Sequence, residues 1–294
     1  MRANIPPVHA VAIALILTAL STHCTPKLKP DLLEKIRQGT AQTNITAPVL
    51  TPLIGDRVIP IVHASVNGRG PYRFLIDAGG NVVSLRQSVA AEAGAAIKQQ
   101  LSKRTVLFVR SIEVGGHTFR DVYAVGEPVL DVDGVIGFNV FRAGLLTLDY
   151  ANRRLTWVPG ELPPPNGRDI IAYELRDRMP YIKVDIGGTG VWMNLDTGAE
   201  APLIFPVEAM QSLRLASPVV AGPDVWNQAV GREETKEALL DATLTFGEHS
   251  VERPRVVFKR SLDEYLIGSG FLRGSVLTFD MKNRRLRIVR VTGN

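Results

Sequence analysis

The chain contains an internal repeat that spans most of its length. The block from Gly137 to Leu155 aligns without a gap on the block from Gly268 to Leu286, 131 positions further on. Each block contains Leu-Thr-Leu/Phe-Asp followed by Asn-Arg-Arg-Leu. A repeat of this period is far longer than one solenoid unit, so it predicts two tandem domains that fold alike.

Each repeat unit also contains an apolar run that ends in an aspartate, with a glycine two residues later. The two triplets are Asp77-Ala78-Gly79 and Asp196-Thr197-Gly198, and both follow a strand-turn-strand pattern. The aspartates are 119 positions apart, so the second unit holds twelve more residues between its aspartate and its closing block. An ionised carboxylate in apolar surroundings must be paired or shift its pKa. The duplication therefore favours one site shared by two carboxylates, over two aspartates that only cap turns.

Composition favours an all-β protein that binds no nucleic acid. The 294 residues include 26 Gly and 19 Pro among many short runs rich in Val, Ile, Leu and Thr, which is typical of short strands joined by turns. The net charge of +5 is modest. Its only basic clusters, Arg153-Arg154 and Arg284-Arg285, lie between strand-like runs, where solvated turns are expected.

These motifs resemble those of the pepsin–retropepsin aspartic proteases, and more closely those of bacterial retropepsin-like proteins. In that family each half carries Asp-Thr/Ser-Gly at a strand end and, later, two apolar residues before a glycine. Asp196-Thr197-Gly198 matches the triplet, while Val135-Ile136-Gly137 and Leu266-Ile267-Gly268 match the later motif. The resemblance covers most of residues 57–291. It implies an all-β fold of two retropepsin-like β-barrel lobes, with the active site between them.

The resemblance also implies an aspartic endopeptidase that needs no metal or cofactor and acts on a peptide or protein substrate. Asp77 and Asp196 would be the catalytic dyad, and since both lie in one chain, a monomer would suffice. The residues expected to support the dyad are Gly79, Thr197, Gly198, Gly137 and Gly268. A flap hairpin is expected within residues 219–236, where Trp226 would either line the cleft or pack on its own lobe.

The first triplet departs from the family pattern. Position 78 is Ala where the family has Thr or Ser, and Gly80 replaces the usual Ala, Ser or Thr. In the family that hydroxyl forms a hydrogen bond across the dyad, and Ala78 has no hydroxyl to contribute. Two alternatives to an active peptidase therefore stay open. One is a protease-fold module that binds extended peptides or envelope components, and the other is a purely structural lipoprotein.

The N-terminus predicts export. Residues 1–24 combine Arg2, an apolar stretch and the only cysteine, Cys24, as in a signal peptide or a lipoprotein signal whose cysteine is lipidated. Plain secretion and an uncleaved anchor are the alternatives. A periplasmic or membrane-anchored lipoprotein is expected, with any membrane contact made through the lipid. The predicted domains are a tether (25–56), an N-terminal lobe (57–159), a linker (160–168) and a C-terminal lobe (169–294).

Overall fold

The structure, a computed structural model, describes residues 27–39, 48–227 and 231–291, without the side chains of residues 225–232. The predicted all-β class is confirmed, because strands make up most of the regular structure in these residues. The helices are short. They are α1 (Pro30–Gln38), α2 (Gln87–Glu92), α3 (Ser269–Leu272) and the 3₁₀ helices η1 (Phe138–Val140) and η2 (Val207–Gln211).

The strands fall into two series that follow the sequence repeat. The first series is β1 (Val49–Pro52), β2 (Ile61–Val66), β3 (Arg69–Asp77), β4 (Val83–Arg86), β5 (Ala96–Leu101), β6 (Arg104–Val114), β7 (His117–Glu127), β8 (Gly134–Gly137), β9 (Leu145–Asp149) and β10 (Arg154–Val158). The second series begins with β11 (Ile170–Ala172), β12 (Glu174–Arg176), β13 (Met179–Ile186), β14 (Thr189–Asp196), β15 (Leu203–Pro206), β16 (Val220–Ala221), β17 (Val225–Asn227) and β18 (Gly231–Glu233). It ends with β19 (Lys236–Leu239), β20 (Thr243–Phe246), β21 (His249–Glu252), β22 (Arg255–Lys259), β23 (Tyr265–Gly268), β24 (Ser275–Asp280) and β25 (Arg285–Arg290).

Strands β2 to β8 form a sheet in the order β2-β3-β8-β4-β7-β6-β5. Because β2 also pairs with β6, six of these strands close into a barrel, with β5 added at one side. Apolar side chains fill its interior, and Val62, Phe74 and Leu85 are fully buried. Closure leaves these six strands without a free edge.

A second, larger sheet is built from residues 174–268. Its order is β16-β19-β22-β15-β23-β14-β13-β20-β21, and β12 pairs with β13. The central part repeats the first sheet, because β14 pairs in parallel with β23 as β3 does with β8. The registers are equivalent too: Asp77 lies beside Gly137, and Asp196 lies beside Gly268.

The two series meet in a six-stranded sheet of order β1-β10-β9-β24-β25-β11. At its centre β9 runs antiparallel to β24, and Thr147 pairs with Thr278, its own equivalent in the repeat. Their hydroxyls lie 2.9 Å apart, within hydrogen-bonding distance. A residue that pairs with its own repeat equivalent places a local twofold axis between the two strands. The repeat therefore appears in space as two equivalent halves joined at this sheet.

Part of the predicted tether is instead packed against the rest of the chain. Residues 30–38 form α1, whose Leu32 and Ile36 lie one turn apart and are buried against Val106 and its neighbours. Gly39 ends the helix with φ 72°. Residues 49–52 form β1, which pairs with β10 in the six-stranded sheet. The composition of this segment is polar and Pro-rich, and only two side chains of α1 are buried. These contacts therefore left little sign in the sequence.

Between β10 and β11 the predicted linker at 160–168 has no helix or strand. It is nevertheless fixed at one point, because Leu162 is buried and its N–H donates to Asp280 Oδ2 at 2.9 Å. Across the residues that the structure describes, no helix has the length and apolarity needed to span a membrane. The predicted signal peptide and Cys24 lie outside the described residues.

Candidate active site

The two aspartates stand at the ends of equivalent strands. Asp77 is the last residue of β3, and Asp196 is the last residue of β14. Each folds back on the turn that follows it, because Gly79 N–H donates to Asp77 Oδ1 and Gly198 N–H donates to Asp196 Oδ1, both at 2.9 Å. Both side chains are partly solvent-accessible. The turns at residues 77–80 and 196–199, called the two loops below, therefore have the same shape, and the aspartate of each is accessible to solvent.

The loops pack against each other so closely that only glycine fits at either tip. A Cβ built on Gly79 would lie 2.7 Å from Asp196 Cγ, and a Cβ on Gly198 would lie 3.0 Å from Asp77 Cγ. Each carboxyl thus rests on the glycine of the opposite loop. The two carboxyls are close enough for the Asp196 charge to raise the pKa of Asp77. The structure therefore brings the two sequence-predicted aspartates, and both supporting glycines, into one site.

Thr197 links the two loops through its hydroxyl. This fully buried side chain donates to the Ile76 carbonyl at 2.8 Å and accepts the Ala78 N–H at 2.8 Å. Ala78, its equivalent in the repeat, has only a methyl group, so the reciprocal pair of bonds cannot form. The loops are thus held together from one side, as the sequence predicted.

Gly137 and Gly268 hold the loops from behind. A Cβ on Gly137 would lie 2.5 Å from the Val82 carbonyl oxygen, and a Cβ on Gly268 would lie 2.1 Å from that of Ala201. The next residues continue the support, because Phe138 N–H donates to Gly80 O and Ser269 N–H donates to Ala199 O, both at 2.8 Å. Any side chain at these two glycines would push a loop forward.

A hydroxyl chain supports the second loop and was missed by sequence reasoning. Ser269 Oγ donates to the Thr197 carbonyl at 2.7 Å, and Tyr150 Oη lies 2.9 Å from Ser269 Oγ. Burial raises the pKa of Tyr150, so its hydroxyl stays protonated. At the position equivalent to Ser269 the first half has Phe138, which packs against the rings of Tyr173 and Phe279. The only signal in the sequence was this Phe/Ser difference between the repeats.

Position 80 requires glycine for a steric reason that the sequence did not reveal. A Cβ at position 80 would lie 2.8 Å from Asp77 Oδ2. Position 199, the equivalent in the other loop, carries Ala, and its N–H donates to Asp196 Oδ1 at 3.0 Å. Both N–H groups, those of Gly80 and Ala199, also lie 3.3 Å from the main-chain oxygen of their own aspartate, so what sets the loops apart is the bond from Ala199 to the Asp196 carboxyl. The two aspartates therefore have different hydrogen-bond environments.

The pKa values of both carboxyls are raised in the folded protein. Burial and the adjacent Asp196 charge raise the pKa of Asp77 well above its ordinary value, although the N–H groups of Gly79 and Gly198 oppose the rise. Burial also raises the pKa of Asp196, but the N–H groups of Gly198 and Ala199, the hydrogen bond from Asp77 and the Lys259 charge all oppose the rise. Donors to an ionised carboxylate favour the ionised form. The two carboxyls therefore hold one proton between them.

Lys259, the last residue of β22, lies against the base of a hairpin, and its charge favours the ionised form of Asp196. The hairpin is formed by β17 and β18, with Trp226 paired to Arg232, within the segment predicted to be the flap. At its base Glu233 is buried, lies 3.8 Å from Lys259 Nζ and accepts the Ser261 N–H at 2.8 Å. The backbone hairpin at Trp226 is therefore present. The Trp226 side chain and residues 228–230 lie outside what the structure describes.

Comparison with known proteins adds no relative. The chain matches no protein-family model, and a search of curated proteins finds no match. What this site does must therefore be argued from its own geometry.

The shared proton makes the stability of the protein depend on pH. An unfolded aspartate titrates near a pKa of about 3.9, whereas the pKa of Asp77 is raised in the folded protein. Between those two values the folded state binds the additional proton, so the free energy of unfolding falls as pH rises, by up to about 1.4 kcal/mol per pH unit. We expect Asp77→Asn to remove much of this dependence.

Chemical unfolding of the wild-type protein and of Asp77→Asn at pH 4, 5, 6 and 7 measures the effect. The variant should gain stability relative to the wild type at each step upward in pH. A stability difference that stays constant over this range would show that Asp77 does not hold a raised pKa.

Proposed function

We propose that the protein is an aspartic endopeptidase, with Asp77 and Asp196 as a dyad that activates water. The observation that carries this proposal is the reciprocal packing of each carboxyl on the glycine of the opposite loop, which brings the two carboxyls close enough to interact. A turn-capping role would explain the bonds within each loop, but not why the two loops meet. Two carboxyls that share one proton can supply a base and an acid together.

In this mechanism Asp77 starts protonated and Asp196 starts ionised, because Asp196 Oδ1 accepts two main-chain N–H groups and Asp77 Oδ1 accepts one. The ionised Asp196 accepts a proton from a water molecule bound between the carboxyls, and the water oxygen attacks the scissile carbonyl carbon. Asp77 gives its proton to the carbonyl oxygen, which yields a neutral gem-diol. Asp196 then passes its proton to the leaving nitrogen, while Asp77 takes back a proton from one diol hydroxyl as the C–N bond breaks and the C=O bond re-forms. The dyad returns to its initial state.

The finer architecture proposed is the two-lobed arrangement of pepsin and the retropepsins. Supporting it are the equivalent registers of Asp77 with Gly137 and of Asp196 with Gly268. The local twofold axis between β9 and β24 supports it as well. In this arrangement the site lies between lobes of one chain, so a monomer is complete. The hairpin of β17 and β18 would be the flap.

A second candidate function is a binding module that grips extended peptides but cleaves them slowly or not at all. The observation that favours it is Ala78, because it lacks the hydroxyl with which Thr197 bonds the backbone of the opposite loop. A net hydrogen bond is worth about 0.5–1.5 kcal/mol, which loosens a site without abolishing its chemistry. The peptidase is the stronger proposal, since a module that only binds has no use for a shared proton.

For the setting we propose export through the N-terminal segment, with Cys24 as the lipid attachment point. Arg2, the apolar stretch and the cysteine that follows it support this. The protein would then meet peptides or proteins of the envelope.

The test of the proposed function is cleavage of a peptide library by the purified protein between pH 3 and pH 7. We expect cleavage to be fastest on the acid side, where the dyad holds its proton. A statine-type peptide should inhibit, because its hydroxyl takes the place of the attacking water. EDTA should have no effect, since within the described residues no three His, Cys, Asp or Glu side chains gather as metal ligands.

Loss of cleavage in EDTA would contradict the two-aspartate mechanism. Tight binding of the statine peptide with no cleavage of any library member would favour the binding module instead.

A further inference from the structure

A third carboxyl, that of Glu264, lies close to the dyad. Glu264 directly precedes β23, the strand whose last residue lies beside Asp196. Asn194 precedes Asp196 by two positions on β14, so their side chains point to the same face of the sheet. Tyr181 is the cross-strand partner of Asn194. Glu264 contacts both, because Tyr181 Oη donates to Glu264 Oε2 and the Asn194 amide lies beside the same carboxyl.

The atoms gathered at this point are mostly hydrogen-bond acceptors. The Asn194 Oδ1 atom is buried and has no hydrogen-bond partner among the described residues. Its Nδ2 atom faces the Glu264 carboxyl and also contacts Met179 Sδ at 3.9 Å. A buried acceptor without a donor is costly, by about 1–3 kcal/mol. Glu264 is only partly buried, so a donor from a ligand can reach the site.

The internal repeat shows what is missing. Asp133 stands four residues before Gly137, as Glu264 stands four residues before Gly268. Asp133 lies 3.2 Å from the Arg86 guanidinium and accepts the Arg73 N–H at 2.8 Å. The first half therefore neutralises this carboxyl with a cation of its own.

In the second half the cation has been replaced. Ser84 pairs with Val135 and Ile204 pairs with Leu266, so the registers make Pro206 the equivalent of Arg86. Within the described residues Glu264 forms no ion pair. Arg176, which stacks over the Tyr181 ring, pairs with Glu174 at 3.2 Å instead. Glu264 thus occupies the position of Asp133 but lacks the cation that Asp133 has in Arg86.

We propose that Glu264 and Asn194 form a subsite for a cationic side chain, the Lys or Arg of a peptide substrate next to the bond that is cleaved. The inference rests on the proposed function and names its substrate class. Burial, with the charges of Asp196 and Asp263, raises the pKa of Glu264 to about 7, as expected for a carboxyl whose cation arrives with a ligand. An ammonium group would satisfy the Glu264 carboxylate and the unpaired Asn194 oxygen together.

The experiment measures binding, so that it does not depend on turnover. Two statine peptides are compared that differ only in carrying Lys or norleucine on the two sides of the statine. At pH 7 the wild-type protein should bind the Lys peptide about tenfold more tightly, as one charged hydrogen bond predicts. Glu264→Gln should remove that preference, so that it binds the two peptides with equal affinity. Asp263→Asn is the matched control, one residue away, and should retain the preference.

Each remaining outcome decides something different. Equal binding of both peptides to the wild type would overturn the subsite and leave the peptidase standing. A Lys preference that survives in Glu264→Gln would place the cation elsewhere and would also overturn it. Failure of both peptides to bind would count against the proposed function and, with it, this inference. The first of these comparisons uses the wild-type protein alone, so it holds even if a variant fails to fold.

Discussion

Replacing either aspartate of the dyad with asparagine is expected to lower kcat/KM for peptide cleavage by about 10³-fold. The reason is that Asp77 and Asp196 share one proton, so neither the base nor the acid can act alone. The double variant should be scarcely worse than either single one, because residues that act as a unit are not additive. Asparagine is nearly isosteric with aspartate and carries no charge, so it should not disturb the packing of the two loops.

Cleavage of one library-derived peptide by the three variants and by Asp121→Asn measures this effect. Asp121 is exposed and lies on β7, so its replacement is the control for a general loss of negative charge. Melting temperatures taken in the same buffer show whether each variant is folded. If Asp77→Asn cleaved the peptide as fast as the wild type, the dyad would be wrongly assigned.

Much of this site could be predicted from the sequence, because its main features are repeated. The spacing of Asp77 and Gly137 recurs in Asp196 and Gly268, and a double pattern is hard to produce by chance. The need for glycine at positions 79 and 198 followed from the same pattern. The structure adds the physical reason, which is the opposite carboxyl lying within 3.0 Å of where each Cβ would be.

The residues that were missed occur only once and act across long sequence distances. Ser269 and Tyr150 are 119 positions apart, and neither has a polar equivalent in the other half that would mark it. Glu264 stands out only after the register of β15 with β23 shows that Pro206 has taken the place of Arg86. Sequence patterns find what the halves share, whereas the contacts that distinguish the halves depend on tertiary packing.

Thr197→Val is expected to lower the free energy of unfolding by about 2–4 kcal/mol, because two buried backbone groups lose their only cross-loop partner. Those groups are the Ile76 carbonyl and the Ala78 N–H. Valine keeps the shape of threonine, so the loss reports the hydroxyl and not a cavity. Thr118→Val, on a half-exposed strand position, is the control and should change stability by less than about 0.5 kcal/mol. Urea unfolding at one pH measures both.

The reverse change, Ala78→Thr, tests whether the missing hydroxyl at position 78 limits the stability and the activity of the site. The repeat places the Leu195 carbonyl and the Thr197 N–H where a hydroxyl at position 78 would reach them, as Thr197 reaches Ile76 and Ala78. The variant should then gain about 1 kcal/mol of stability and cleave faster, because the carboxyls are held in one arrangement more of the time. Ala78 is 1% exposed, however, so two added atoms must find room in a packed interior. A destabilised variant with unchanged turnover would mean that the interior has closed around the methyl group. The asymmetry would then be an adaptation of this chain, and the binding module would become the better description of what the two aspartates do.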